Sequence, residues 1–238
     1  MDVSVVIPCH NYAKTLPRAV SSALLQSAVS QVVVVDDASS DDSVACAQSL
    51  CVLDRRVQVC MQEKNLGPGA ARNRGALLAT GSHIVFLDAD DEFVGDFTGV
   101  ALSCFEQNPD LVVAKCDVEF FDPVKGYVLP GDDPRYAVAV LSSSCGMLMR
   151  RDIFLRMGGF PEDSVFRGPA GGEDVAFMQA VMAHFQPLAR VETVGYRVWT
   201  RSGTHVDKFL ANTRLTQSGG VEFVADSIRQ NEADKLSG

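Results

Sequence analysis

The sequence predicts one α/β domain built on a mostly parallel sheet with helices on both faces. Three observations predict it. Short β-branched runs alternate with segments of helical spacing through the first ninety residues, a β-α-β-α-β-α-β rhythm. The runs are continuously apolar, as in strands covered on both faces. Three of them end in polar residues (Pro8–Asn11, Asp36–Asp41 and Asp88–Asp91), and open α/β sheets bind ligands at the carboxyl ends of their strands.

The elements follow in order. Val3–Ile7 is a first strand, stopped by Pro8. Leu16, Ala19, Val20, Ala23 and Leu24 recur at helical spacing. Val32–Val35 is a second strand, stopped by Asp36 and Asp37. Ser43–Leu53 has helical character, and Val57–Met61 reads as a third strand. Gly69–Ala79 is a small-residue helix, and His83–Leu87 a fourth strand. The second half is less regular. Leu111–Ala114 is predicted as a strand, and Val118–Leu129 as a hairpin turning at Lys125-Gly126. Asp132-Asp133-Pro134 marks a loop. Arg151–Met157 is a short helix ended by Gly158-Gly159, and Pro161–Gly172, rich in Gly, Pro and charge, a long mobile loop. Ala176, Phe177, Ala180, Val181 and His184 mark a helix opened by Glu173-Asp174, and Val191–Thr200 is strand-like. The polar tail from about Lys208 is expected as a loosely docked surface helix. The chain divides into a regular first half (1–95), a less regular second half of the same domain (96–207) and the tail (208–238).

Composition narrows the partners. The 238 residues are 47% hydrophobic and 21% charged, the balance of a globular chain. A net charge of −9 argues against nucleic-acid or anionic-membrane partners, and an acidic protein that binds an anionic nucleotide needs a cation to mediate. The seven cysteines (Cys9, Cys46, Cys51, Cys60, Cys104, Cys116 and Cys145) are scattered and form no C-x-x-C. A reduced, cytoplasmic setting is the simplest reading. The N-terminus lacks the cationic region of a signal peptide, and no apolar run approaches the ~20 residues of a membrane span, so a soluble protein is expected.

Asp88-Ala89-Asp90-Asp91 places three carboxylates at the mouth of a buried strand. In an extended stretch, residues i and i+2 point the same way, so Asp88 and Asp90 can share one ligand. Hard oxygen donors there suit Mg²⁺ or Mn²⁺ carrying a phosphate. The competing reading is a solvated turn.

Asp36-Asp37-Ala38-Ser39-Ser40-Asp41 and Asn65–Gly75, taken in order with Val5-Val6-Ile7-Pro8 and Phe86–Asp91, resemble the family 2 inverting glycosyltransferases of GT-A fold over roughly residues 3–205. The resemblance implies a single nucleotide-sugar-binding domain with an acceptor half fused to it. Donor contacts are then expected from Pro8, Asn11, Asp37, Ser39, Arg72, Asp88 and Ala89. Asp37 would recognise the base, Arg72 would sit near base or phosphates, Asp88 would bind the ribose, and Asp90 would ligate the metal, with Asp91 orienting it. Helix capping by Asp36, Ser39 and Asp41, and a structural ion pair for Arg72, compete with these roles. Asn73 is expected as a turn or helix-packing residue. A dinucleotide fingerprint from Gly67, Gly69 and Gly75 is disfavoured, because position 72 is Arg and the segment lies beside the third strand. These glycines are expected to let the backbone turn tightly and approach a ligand.

Inverting transfer needs a carboxylate to take the acceptor's proton. Gly171-Gly172-Glu173-Asp174 matches the family's E-D motif, and the match makes Asp174 the base; plain helix capping is the competing reading. Gly158-Gly159-Phe160 and Arg150-Arg151 also match. Adjacent helical residues project about 100° apart, so only one of Glu173 and Asp174 can face the acceptor. A helix N-terminus lowers the base's pKa while Glu173 raises it. The family often takes a third metal ligand from a histidine in a Y-R-x-H-x-x-S pattern. Here Tyr196-Arg197-Val198-Trp199 places Trp199 in that position, and His205 is a candidate ligand six residues on. Trp199 is alternatively a platform for a sugar ring or a core residue. His10, His83 and His184 read as structural.

The resulting expectation is a metal-dependent inverting transferase using a nucleotide-diphospho-sugar, UDP-linked by preference. Its acceptor is a saccharide, a lipid-linked sugar or a protein. The rivals are a catalytically silent GT-A binding protein and a nucleotidyltransferase. The latter usually carries a Gly-rich basic loop after the first strand, and Pro8–Tyr12 has neither Gly nor Arg.

Overall fold

The computed structural model describes residues 1–167, 172–185, 188–200, 204–216 and 219–223. The chain runs β1 (Val3–Cys9), α1 (Leu16–Leu24), β2 (Val29–Asp36), α2 (Ser43–Leu53), β3 (Val57–Met61), α3 (Pro68–Leu78) and β4 (His83–Phe86). It continues through β5 (Glu92–Phe93), α4 (Phe97–Gln107), β6 (Val113–Asp122), β7 (Gly126–Tyr127), α5 (Pro134–Ser142), β8 (Met147–Arg150), α6 (Arg151–Arg156) and α7 (Glu173–His184). Next come β9 (Ala189–Trp199), α8 (His205–Ala211), β10 (Thr213–Leu215) and β11 (Val221–Phe223).

The main sheet has the order β3-β2-β1-β4-β8-β6-β9-β5, with β7 paired to β6. The first four strands are mutually parallel, β8 is antiparallel to both β4 and β6, and β6 and β9 are parallel. Strand periodicity shows why the early runs are apolar throughout. Val3, Val5 and Ile7 of β1 and Val32 and Val34 of β2 enter one buried layer, with Leu16, Ala19, Val20 and Ala23 of α1 and Phe97 of α4. Val6, Val33 and Val35 enter the other, with Ala71 and Ala76 of α3, Phe154 of α6, and Phe177 and Val181 of α7. Each strand therefore feeds two cores, one on each face.

The second half departs from expectation in its details. The strand expected at Leu111–Ala114 and the first arm of the Val118–Leu129 hairpin are one continuous strand, β6, with its register shifting around Asp117. Its pairing with β9 carries it through residues of mixed polarity that local patterning divides in two. Asp122 Oδ1 accepts from the Val124 and Lys125 amides and closes the turn into β7. Capping fixes the α4 and α5 starts: Asp96 accepts from Gly99 N, and Asp133 from Arg135 N ahead of Pro134. Of the expected loop Pro161–Gly172, Ser164–Arg167 form a 3₁₀ turn, and residues 168–171 lie outside the described residues. The tail, expected as a surface helix, instead ends α8 and pairs β10 with β11 antiparallel; residues 224–238 lie outside the described residues. All seven cysteines are unpaired. Among the described residues, no helix is long and apolar enough to cross a membrane.

α3 lies close on the sheet because its inner face is small. A Cβ added at Gly75 would stand 2.3 Å from Val6 Cγ1 and 3.1 Å from Val35 Cγ2. This glycine therefore serves helix–sheet packing and not approach to a ligand. Gly75→Ala is expected to destabilise the protein by about 2 kcal/mol through overpacking, read as a lower denaturant midpoint at constant slope.

Candidate functional site

The carboxyl ends of β1, β2 and β4 open into a cavity of about 780 Å³, within the range of small-molecule sites. Pro8, Asp37, Arg72 and Asp88–Asp91 line it on the first-half side. Glu173 and Asp174 at the start of α7, Trp199 at the end of β9, and Ser142, Ser143 and Cys145 between α5 and β8 close it from the other. The fold thus brings the carboxylate loop and the Glu173-Asp174 pair, 83 residues apart between Asp91 and Asp174, to one space.

The carboxylate loop is not extended. Asp91 N donates to Asp88 O at 3.0 Å, closing a turn after β4. The extended geometry from which the Asp88/Asp90 pair is expected is replaced by a turn, across which residues i and i+3 meet, and this brings Asp88 and Asp91 together. Asp88, Asp91 and Cys145 offer ligand atoms within 4.8 Å of one another. Asp91 is 4% exposed, and its two oxygens accept from Trp199 N at 2.9 Å and from the Tyr196 hydroxyl at 3.0 Å. The same hydroxyl accepts from Asp88 N at 3.1 Å. Burial, together with the charges of Asp88 and Asp90, holds the Asp91 carboxyl well above the usual carboxylate range. The turn thus crowds carboxylates against one another, and their hard oxygens fit a divalent cation.

Arg72 is the cation between the two walls. It is 6% exposed; its Nη2 meets Asp88 Oδ1 at 2.7 Å and its Nη1 meets Glu173 Oε1 at 2.8 Å. Its guanidinium carbon stands 5.3 Å from the Phe160 ring centroid. Burial opposes its charge, but Asp88 and Glu173 outweigh burial and hold its pKa above the ordinary value. The ion-pair reading of Arg72 is thus realised inside the cavity wall. With Glu173 turned to Arg72, Asp174 takes another direction on the helix and also lines the cavity. Its Oδ1 accepts from Val175 N at 2.8 Å. Burial raises its pKa, Arg72 opposes this, and Glu173 adds to it, so the balance lies on the raised side chiefly through burial, which the sequence reading did not weigh.

The loops after β1 and β2 are knitted together. Asn11, at φ 63°, accepts through Oδ1 from the Ser40 and Asp41 amides, and its own amide donates to Ser39 Oγ. Asn11 and Ser39 are accordingly spent on each other's loops and are not among the cavity-lining residues. Asp41, one residue before the N-cap Asp42, accepts from Ser43 N at the start of α2. Asp37 lines the cavity, and its carboxylate accepts from Leu66 N, Gly67 N and Gln62 Nε2 at 2.8–2.9 Å, which fixes the loop into α3. Asn73 is a packing residue: it exchanges hydrogen bonds with the backbone of Phe160, both at 2.8 Å.

Trp199 presents its indole to Arg18, whose guanidinium carbon is 4.3 Å from the ring centroid, and meets Phe121 edge-on. One face is therefore already covered by a cation. His205 begins α8, but its side chain lies outside the described residues. Sequence reasoning passed over three contributors. His10, read as structural, lines the cavity and bonds the Asp37 carbonyl through Nδ1 at 2.8 Å. Tyr196 stood inside a quoted motif with no role given. Lys115 had no signal at all: it is 4% exposed, and its amine ties the Ser143 and Cys145 carbonyls, both at 2.7 Å, to β6.

The raised pKa of Asp91 has a direct consequence for stability. Native Asp91 keeps its proton over a pH range in which the unfolded chain has lost it, so its contribution falls as pH rises from the ordinary carboxylate value towards the native one. Asp91→Asn, in chelator, is expected to melt above the wild type at pH 7.5 by at least about 3 °C, near 1 kcal/mol for a domain of this size. The gap should shrink as pH falls to 4.5. An unchanged gap across that range would refute the assignment.

The family model described as glycosyl transferase family 2 matches residues 4–155. The succinoglycan biosynthesis protein ExoU of Rhizobium meliloti (strain 1021) is 35% identical over 136 residues, 57% of this chain and 39% of ExoU. ExoO of the same strain is 44% identical over 91 residues, 38% of this chain and 26% of ExoO. These matches span well under half the length of either relative. Among solved structures, S. aureus TarS 1-349 in complex with UDP-GlcNAc superposes with a TM-score of 0.71 at 21% identity, covering 86% of this chain and 60% of that one. The mannosyltransferase PcManGT from Pyrobaculum calidifontis, in complex with GDP-Man and Mn²⁺, gives 0.62 at 21% identity, covering 84% and 57%. The architecture is the GT-A fold. With the matched model spanning the loops after β1, β2 and β4 and more than half of the sequence, this chain belongs to glycosyl transferase family 2.

Proposed function

We propose that the protein is a metal-dependent inverting glycosyltransferase that moves a sugar from a nucleotide-diphospho-sugar, UDP-linked by preference, to an acceptor hydroxyl. The observation that carries the reading is the single cavity with Asp88–Asp91 on one wall and Asp174 on the other. Asp37 and the β1 and β2 loop ends form the pocket for the base, and Asp88 receives the ribose. Asp90 would hold Mn²⁺ or Mg²⁺, with Asp88 beside it; the bound ion stabilises charge on the departing nucleoside diphosphate.

Asp174 is the base of this reading. The acceptor oxygen forms its bond to the anomeric carbon as the bond from that carbon to the phosphate oxygen breaks, and the proton passes to the Asp174 carboxylate. Its raised pKa makes it a stronger base than a solvated carboxylate, and it must be ionised to act. The transfer rate is therefore expected to fall as pH drops through a value above the ordinary carboxylate range. Ser142, Ser143 and Cys145 line the same cavity on the side opposite the acidic turn, and exclusion of water from a bound donor would limit hydrolysis, the competing reaction.

The test is UDP binding by calorimetry with and without Mn²⁺, followed by a screen of UDP-sugars for turnover. Mn²⁺ should strengthen UDP binding, and Asp90→Asn should remove that gain. Asp174→Asn should leave donor binding within about twofold and lower turnover by at least about a hundredfold, the usual size of a general-base contribution. Failure to bind UDP, GDP or dTDP in either condition would sink the donor assignment.

A further inference from the structure

One guanidinium outside the cavity's acids touches three elements that meet at the carboxylate loop. Arg18 extends from α1, and its Nη2 donates to the Asp90 carbonyl. Its guanidinium lies over the Trp199 indole at 4.3 Å, and its Nε is 3.9 Å from Glu92 Oε2. Glu92 in turn meets Arg197 of β9 at 2.8 Å, and Arg197 meets Glu119 of β6 at 2.8 Å. The side chain is two-thirds buried, so these contacts are screened less than those of a surface arginine. On the far side of the same loop, Trp199 N donates to Asp91 Oδ1. Arg18 and Asp91 therefore hold one residue, Trp199, from its ring and from its amide, while Arg18 also holds the backbone of Asp90.

We propose that Arg18 is a positioning residue: it locks the Asp88–Asp91 turn to the end of β9 and so sets the direction in which Asp90 presents its carboxylate. The inference rests on the donor-site reading above and deepens it, since nothing in the motifs points to α1. Holding the Asp90 carbonyl restrains the peptide plane that follows its Cα, and with it the ψ angle at Asp90 and the frame from which the side chain projects. A planar guanidinium can donate to the carbonyl and stack on the indole together, which an ammonium does less well. Arg18 touches neither Asp88 nor Arg72 in any contact above, so its effect falls on the cation-holding arm of the turn and leaves the nucleoside arm in place.

Trp199 is the only tryptophan in the chain, so its emission reports this contact without a background. The variants are Arg18→Met, which keeps the stem and removes the charge, and Arg18→Lys, which keeps the charge. In Arg18→Met, UDP affinity in saturating Mn²⁺ is expected to fall about tenfold, with metal-free UDP affinity changed less than twofold. Trp199 emission should shift to longer wavelength, and the amides of residues 88–91 should exchange faster. Arg18→Lys should recover most of the Mn²⁺-supported affinity. Wild-type UDP affinity in Mn²⁺ for Arg18→Met would overturn the proposal, as would an equal loss with and without the metal. Should the wild type bind no nucleotide, the donor reading fails by itself. Exchange at 88–91 and Trp199 emission then decide the positioning claim, and wild-type behaviour of both in Arg18→Met would end it.

Discussion

The site depends on one buried cation. Arg72 stands between Asp88, at the end of β4, and Glu173, at the start of α7, with contacts of 2.7 and 2.8 Å. Removing a guanidinium from water is costly, and only two close carboxylates make its burial tolerable. Each acid is correspondingly committed: Asp88 cannot swing away from the cavity floor, and Glu173 must face inward. Because Glu173 is fixed, the helix geometry fixes Asp174, about 100° further round α7. The spacing between Asp88 and Asp174 is thus set by a salt bridge and not by a loop. Small residues make the bridge reachable. A Cβ on Gly69 would stand 3.1 Å from the Pro161 carbonyl and 3.2 Å from Glu173 Cγ, so a larger residue would press on the start of α7.

Much of the fold was legible because the first half obeys local rules. Val3–Cys9, Val29–Asp36, Val57–Met61 and His83–Phe86 are apolar runs with turn residues after them, and each is a strand within a few residues of its expected bounds. The second half obeys tertiary rules. β6 is one strand because β9 pairs along it from Ala114 to Phe121, although Lys115, Asp117 and Glu119 break its apolar run. Lys115 is buried only because two carbonyls receive its amine; burial lowers its pKa to about 8. No local pattern announces a lysine used in this way. The site was legible in its residue types and less so in its geometry. Asp88, Asp174 and Arg72 were named from motifs, but the pairing of Asp88 with Asp91 follows from a turn that a strand-based reading of four residues does not contain.

The loops after β1, β2 and β4 lie within residues 4–155, the stretch that the family model matches. Glu173, Asp174, Tyr196 and Trp199 lie beyond them, on α7 and β9. What these elements must keep is the Arg72 bridge and the two bonds into Asp91, from Trp199 N and the Tyr196 hydroxyl. The amide bond needs only a backbone and accepts any side chain at position 199. Position 199 is therefore free to change its chemistry without loosening the turn, provided something packs against the new side chain. In this chain that partner is Arg18, which stacks on the indole and bonds the carbonyl of Asp90. An indole at 199 and an arginine on α1 are thus one feature: the ring gives the guanidinium a face to lie on, and the guanidinium ties that face to the acidic turn.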